Sequence, residues 1–180
     1  MSLLQSATLA QSFGRVNIFG GPGSGKSVTS VLLAIGIIKA HNTGDAKNTG
    51  DCLVFFDPED AAKFVKPICD AEQIPLLAVP SHSFIDLRDA LTEAEQYPHS
   101  VFIVDHYDAP HRELVEAQKA KLNLQGRKLP YQHREELIRL WDAWTRQLRG
   151  SQLHTICNGR LAWDWGDDED ESGDPVKVKL

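Results

Sequence analysis

The sequence predicts an α/β fold, a mostly parallel central sheet with helices on both faces and a C-terminal β-hairpin. Three observations carry this. Short apolar runs, Cys52–Phe56 and Val101–Val104 above all, alternate with amphipathic stretches of helical length. A glycine-rich turn, Gly20–Gly25, joins the first β-prone run to the first long helix. Beyond residue 160 apolar positions alternate strictly, as Leu161, Trp163, Trp165 and then Val176, Val178, Leu180, the period of an antiparallel pair. The 180 residues suit a single domain with a real core. Its main body is expected at about 14–160 and its hairpin at about 160–180.

The elements follow in order. Val16-Asn17-Ile18-Phe19 is a short strand that stops at glycines. A helix from Gly25 to about His41 follows, closed by the polar loop Asn42–Asp51. Cys52–Phe56 reads as a strand buried on both faces. Asp57-Pro58-Glu59 opens the next helix, Pro58 suiting its first turn and Pro67 ending or kinking it. Leu76–Val79 is a further strand. Ser83, with Asp86 three residues on, caps a helix that runs to about Gln96. Val101–Val104 is a second wholly apolar strand, with Asp105 at its carboxyl end. Two helices come next: Pro110–Asn123 behind the cap candidate Asp108, and Tyr131–Arg149 with the stripe Leu137, Leu140/Trp141, Trp144, Leu148, ending at Gly150. Leu153–Cys157 is the last core strand.

The net charge of −6 argues at first against a nucleic-acid partner, but it is local. Asp164–Asp174 holds seven acids and no Lys or Arg, and without it 18 acids face 19 bases. The three cysteines show no metal-ligand spacing and read as buried thiols of a reducing compartment. No apolar run reaches the ~18 residues that span a bilayer, so no membrane association is expected. The first residues lack the basic region and small-residue cleavage pattern expected of a signal peptide. A cytoplasmic location is the expectation, the host cytoplasm if the chain is phage-encoded.

Gly20-Gly21-Pro22-Gly23-Ser24-Gly25-Lys26-Ser27 fits GxxxxGK[ST] between a strand and a helix, the context that makes this phosphate-binding motif credible. Its glycines let successive backbone N–H groups point at phosphate oxygens, and the following helix, opening through Val28, adds its positive end. Lys26 is expected at the β- and γ-phosphates and the Ser27 hydroxyl on Mg²⁺. ATP and Mg²⁺ are therefore the expected cofactors, with Gly21 to Val28 as the nucleotide cradle. Asp105, at the end of a buried strand, supplies the second Mg²⁺ ligand. Glu59, three positions past the strand Cys52–Phe56, reads equally as a base for the attacking water or as a first-turn helix acid.

Together, Gly20–Ser27, Cys52-Leu53-Val54-Phe55-Phe56-Asp57-Pro58-Glu59-Asp60-Ala61 and Ile103-Val104-Asp105 resemble the core of RecA-like recombinase ATPases. The resemblance implies a three-layer P-loop NTPase fold, with Gly20–Ser27 as Walker A and Asp105 as Walker B. It implies that Glu59 is the catalytic base. It also implies that Asn158, after the Leu153–Cys157 strand, senses the γ-phosphate, with Arg160 as a charge sensor. The small size, the Trp-rich helix and the aromatic hairpin are most similar to phage-encoded single-domain RecA-like ATPases, linked to single-strand annealing and recombination. Their implied partners are single-stranded DNA and further copies of the chain. His106 departs from the pattern, which often has Ser there.

Pro110–Gly150 carries nine bases against five acids. It reads either as solvated helix faces or, through a mobile loop Asn123–Pro130 with Arg127 and Lys128, as a phosphate-backbone contact. Two other functions share the phosphate loop: a small-molecule or nucleotide kinase, opposed by Asp105, the Asp57–Glu59 pattern and the lack of an Arg-rich lid, and a nucleotide-gated structural or packaging subunit with slow turnover.

Overall fold

The computed structural model describes residues 13–41, 50–124, 127 and 129–160 in full, and the backbone of 163–169 and 175–179. In chain order the elements are β1 (Arg15–Gly20), α1 (Lys26–His41), β2 (Leu53–Phe56), α2 (Ala62–Ala71), β3 (Leu76–Val79) and α3 (Phe84–Ala94). They continue with β4 (Val101–Val104), α4 (Asp108–Lys121), α5 (Tyr131–Gly150), β5 (His154–Arg160), β6 (Trp163–Glu169) and β7 (Pro175–Lys179).

The five core strands form one parallel sheet in the order β1-β5-β4-β2-β3. β6 and β7 pair antiparallel as a separate ribbon. Alternation along each buried strand sends side chains to two cores. Leu53, Phe55, Val101, Ile103 and Ile156 pack under α1 and α2, against Val31, Ile35, Ile38 and Val65. Val54, Phe56, Phe102, Val104 and Cys157 face α3 and α5, against Leu87, Leu91 and Trp144. This is a three-layer α/β fold. Burial on both faces explains why β2 and β4 are continuous apolar runs.

Several boundaries differ from the sequence expectation, each for a physical reason. α2 starts at Ala62, not at Asp57–Glu59. The Asp57 carboxylate accepts the backbone N–H groups of Ala61 and Ala62, both at 2.8 Å. It therefore caps the helix from a distance, and Asp60 turns through φ 57°. Pro67 does not end α2; it lies inside the helix, four residues before Ala71. Asp108 belongs to the first turn of α4, whose N-cap is Tyr107, and it caps nothing there. Gly150 is the last residue of α5, with Ser151 as C-cap. Leu140 faces solvent, so the buried stripe is Leu137 and Trp144, with Trp141 and Leu148 packed partly against the core. β5 does not stop at Cys157 but runs on through Arg160, because β1 pairs alongside it as far as Gly20 opposite Arg160.

Ser83 caps α3 as expected, accepting from Ile85 N and Asp86 N at 3.2 and 3.3 Å. Arg15 has a role the sequence does not announce. Its guanidinium donates to the carbonyls of Gly14, Arg149, Ser151 and Leu153, tying the start of β1 to the end of α5. The acidic stretch 164–174 and residues 125, 126 and 128 of the loop 123–130 lie outside the residues whose side chains are described.

Candidate functional site

Parallel strands carry their carboxyl ends to one edge, and in this sheet that edge gathers the turns after β1, β2, β4 and β5. Between them lies a cleft of about 310 Å³, lined by Pro22 to Val28, Glu59, Ala61, Phe64, Val65, Asp105, His106 and Arg160.

The loop after β1 curls through Gly23 at φ 72° and Gly25 at φ 83°, left-handed conformations that favour glycine. Lys26 folds back over it, its Nζ donating to the carbonyls of Gly20 and Gly21 at 3.0 and 2.9 Å. Ser27, one residue on, donates its hydroxyl to the Asp105 carboxylate, at 3.0 Å to Oδ1 and 2.9 Å to Oδ2. Two hard oxygen donors from residues 78 apart in sequence thus converge beneath the loop.

Behind them stands Asn158, with no exposed surface. Its Nδ2 donates to Asp105 Oδ1 at 2.7 Å, and its Oδ1 accepts from Ser30 Oγ at 2.6 Å. β5 lies between β1 and β4, which is what sets Asn158 beside Asp105. Asn158 does not line the cleft; it orients the residue that does.

The five-residue bridge 57–61 carries Glu59 into the same cleft. Glu59 Oε1 is ion-paired with the Arg160 guanidinium at the end of β5. His106 Nε2 lies 3.5 Å from the same oxygen, and His106 Nδ1 lies 3.7 Å from Asp108 Oδ2. Burial is the largest influence on His106 and lowers its pKa; Glu59 opposes this and Arg160 reinforces it.

The sequence-predicted residues Pro22 to Val28, Glu59, Asp105 and Arg160 come together around one cleft; Gly21 does not line it, and its carbonyl accepts from Lys26 Nζ. Sequence reasoning missed several partners. Ser30 is a polar residue on the buried face of an apolar helix, and that misfit is its signal. Gly159 had no role assigned, yet a Cβ there would stand 2.7 Å from ring carbons of both Phe19 and Tyr107. Phe64, 70% exposed on the cleft rim, left no trace in the periodicity.

These donors fit a nucleoside triphosphate and Mg²⁺. The loop supplies backbone N–H groups and an ammonium, and Ser27 with Asp105 supplies the oxygen ligands that Mg²⁺ prefers. Among the described residues no set of three or more His, Cys, Asp or Glu side chains is arranged to hold a metal. An ion at Ser27 and Asp105 would therefore draw its other ligands from phosphate and water. Among the described residues, no helix is long and apolar enough to cross a membrane.

No protein-family model matches the chain, and no curated protein matches it. Among solved structures it is similar to the assembled ATPase EscN, in complex with its central stalk EscO from the enteropathogenic E. coli type III secretion system. Identity is 15% and the TM-score 0.44, over 83% of this chain and 38% of that one. The chain spans well under half the length of that ATPase.

Proposed function

We propose that this chain is an Mg²⁺-dependent ATPase of RecA-like type that acts on DNA as a homo-oligomer. One observation carries the reading: Ser27 and Asp105 meet beneath a glycine-rich loop, and Glu59 lines the same cleft. Backbone N–H groups of Gly21 and of Gly23 to Val28, with Pro22 shaping the turn without a donor, and the Lys26 ammonium bind the triphosphate. Ser27 and Asp105 hold Mg²⁺, which supplies charge neutralisation at the phosphates. Glu59 orients and deprotonates the attacking water, and Arg160 moves from Glu59 to the γ-phosphate side as the charge sensor. Asn158 acts through Asp105.

Single-stranded DNA is the proposed partner, on the +4 segment Pro110–Gly150. There Arg112, Lys121, Arg127, Arg134, Arg139 and Arg146 are exposed. The phage-type resemblance adds annealing or recombination as the setting and the host cytoplasm as the location.

The test is ATP turnover and molecular size with Mg²⁺, with and without single-stranded DNA. Expected are hydrolysis raised by DNA, none in Lys26→Ala, and a fall of about 10²–10⁴-fold in Glu59→Gln with ATP binding kept. Phosphate transfer to a second nucleotide would make the chain a kinase. Tight binding without turnover would make it a nucleotide-gated structural subunit.

A further inference from the structure

His106 is the cleft residue that phosphate-loop chemistry leaves without a task. It follows Asp105 directly, is 4% exposed, and holds φ at 67°. A histidine keeps that left-handed conformation where its surroundings impose it, and such strain gathers at functional sites. Its Nδ1 is buried and has no hydrogen-bond partner. Both ring nitrogens face carboxylates, Nε2 towards Glu59 and Nδ1 towards Asp108. Asp108 Oδ2 already accepts the backbone N–H of Arg160 at 3.3 Å, whereas Glu59 Oε1 is the oxygen that Arg160's guanidinium holds.

A carboxylate paired with a guanidinium is a poor base, so Glu59 must leave Arg160 before it can polarise water. Once free, it needs a donor that keeps it pointing across the cleft. We propose that His106 is the positioning residue that takes over the Glu59 carboxylate, through Nε2–H, when Arg160 turns away. The inference rests on the ATPase reading above. Closing the 3.5 Å separation to a hydrogen bond takes about 0.5 Å of movement. The ring is held by its burial and its backbone, so the half-exposed glutamate is the partner that moves.

The test uses the full chain and two substitutions. His106→Gly suits the left-handed backbone and removes the ring; His106→Gln restores an N–H donor at the reach of Nε2. Expected in His106→Gly is a fall in kcat of about 10–100-fold with KM for ATP unchanged. His106→Gln should recover most of it, at thermal midpoints close to the parent's.

A second readout needs no nucleotide. Long-range ¹H–¹⁵N spectra of the seven histidines, with His106 assigned by its loss in His106→Gly, report which nitrogen carries the proton. The expected Nε2–H resonance shifts in Glu59→Gln and stays in place in Asp60→Asn, a nearby charge-removing control. A resonance indifferent to Glu59→Gln, an Nδ1–H tautomer, unchanged kcat in His106→Gly, or equal loss in both variants would each overturn the proposal while leaving the ATPase intact. Absence of turnover in the parent chain would instead remove the ATPase reading, and this role with it.

Discussion

Replacing Asn158 with alanine tests whether Asp105 is held from behind. The side chain is wholly buried and makes two hydrogen bonds, to Asp105 at 2.7 Å and from Ser30 at 2.6 Å. A bond to a carboxylate contributes about 1.5–3 kcal/mol and a neutral one about 0.5–1.5 kcal/mol. Ser30 has a second acceptor in the Lys26 carbonyl at 2.9 Å, which places its share at the lower end. Asp105 keeps Ser27, but its Oδ1 loses its nearest donor at a residue only 4% exposed.

The expected loss is about 2–4 kcal/mol, a fall in Tm of about 5–15 °C for a chain of this size. Urea unfolding followed by tryptophan fluorescence measures it, since Trp144 packs in the same core as Cys157, the neighbour of Asn158. Asn158→Asp should be worse than alanine at neutral pH, because it sets a second carboxylate against Asp105. A loss under about 0.5 kcal/mol in the alanine variant, with the urea slope unchanged, would refute the reasoning.

Gly159→Ala should destabilise by about 1–3 kcal/mol in a thermal melt, because the new methyl group overlaps the rings of Phe19 and Tyr107. A neutral result would mean that the rings swing aside freely. Burial, then His41 and Arg15, lowers the pKa of His154, whose Nδ1 accepts from Gly14 N at 2.9 Å. A histidine with a lowered folded pKa contributes stability above its ordinary value near 6.5 and loses it as pH falls below. Melting temperature should therefore drop on acidification below about pH 6.5, and His154→Asn, which keeps an acceptor for Gly14 but cannot titrate, should flatten that drop. Burial raises the pKa of all three thiols, Cys157 to about 12. Iodoacetamide at about pH 8, near the ordinary thiol pKa, should leave the folded chain unlabelled by mass spectrometry; stoichiometric labelling would contradict their burial.

Much of the fold and of the cleft was legible because local chemistry dictated it. Apolar runs marked β2 and β4, and glycines with Lys26 and Ser27 marked the loop. Asp105 was visible as a charge at the end of a wholly apolar run. What stayed hidden depends on contacts between distant residues. Asp57 looks like a helix-opening residue in sequence, and only folding shows its carboxylate reaching forward to Ala61 and Ala62. The extension of β5 to Arg160 is set by its pairing with β1, more than a hundred residues earlier. His106 registered as a departure from a pattern, since neither its backbone angle nor its two facing carboxylates has a local signature. Ser30 and Arg15 satisfy partners far away in sequence and leave nothing periodic to read.

The bridge between β2 and α2 has a consequence for how this chain tolerates change. Asp57 is fixed at one end by its N–H on the Val79 carbonyl at 2.9 Å and at the other by its carboxylate on the first turn of α2. Glu59 hangs midway, like a mark on a ruler clamped at both ends. Position 60 is exposed and admits residues that accept a left-handed backbone, such as Asp, Asn or Gly, whereas Pro58 is buried and Ala61 lines the cleft against the core. The number of residues cannot change: one inserted or deleted between 57 and 62 would break the carboxylate clamp or turn position 59 out of the cleft. Length, more than identity, is the conserved quantity to expect in any functional variant of this segment.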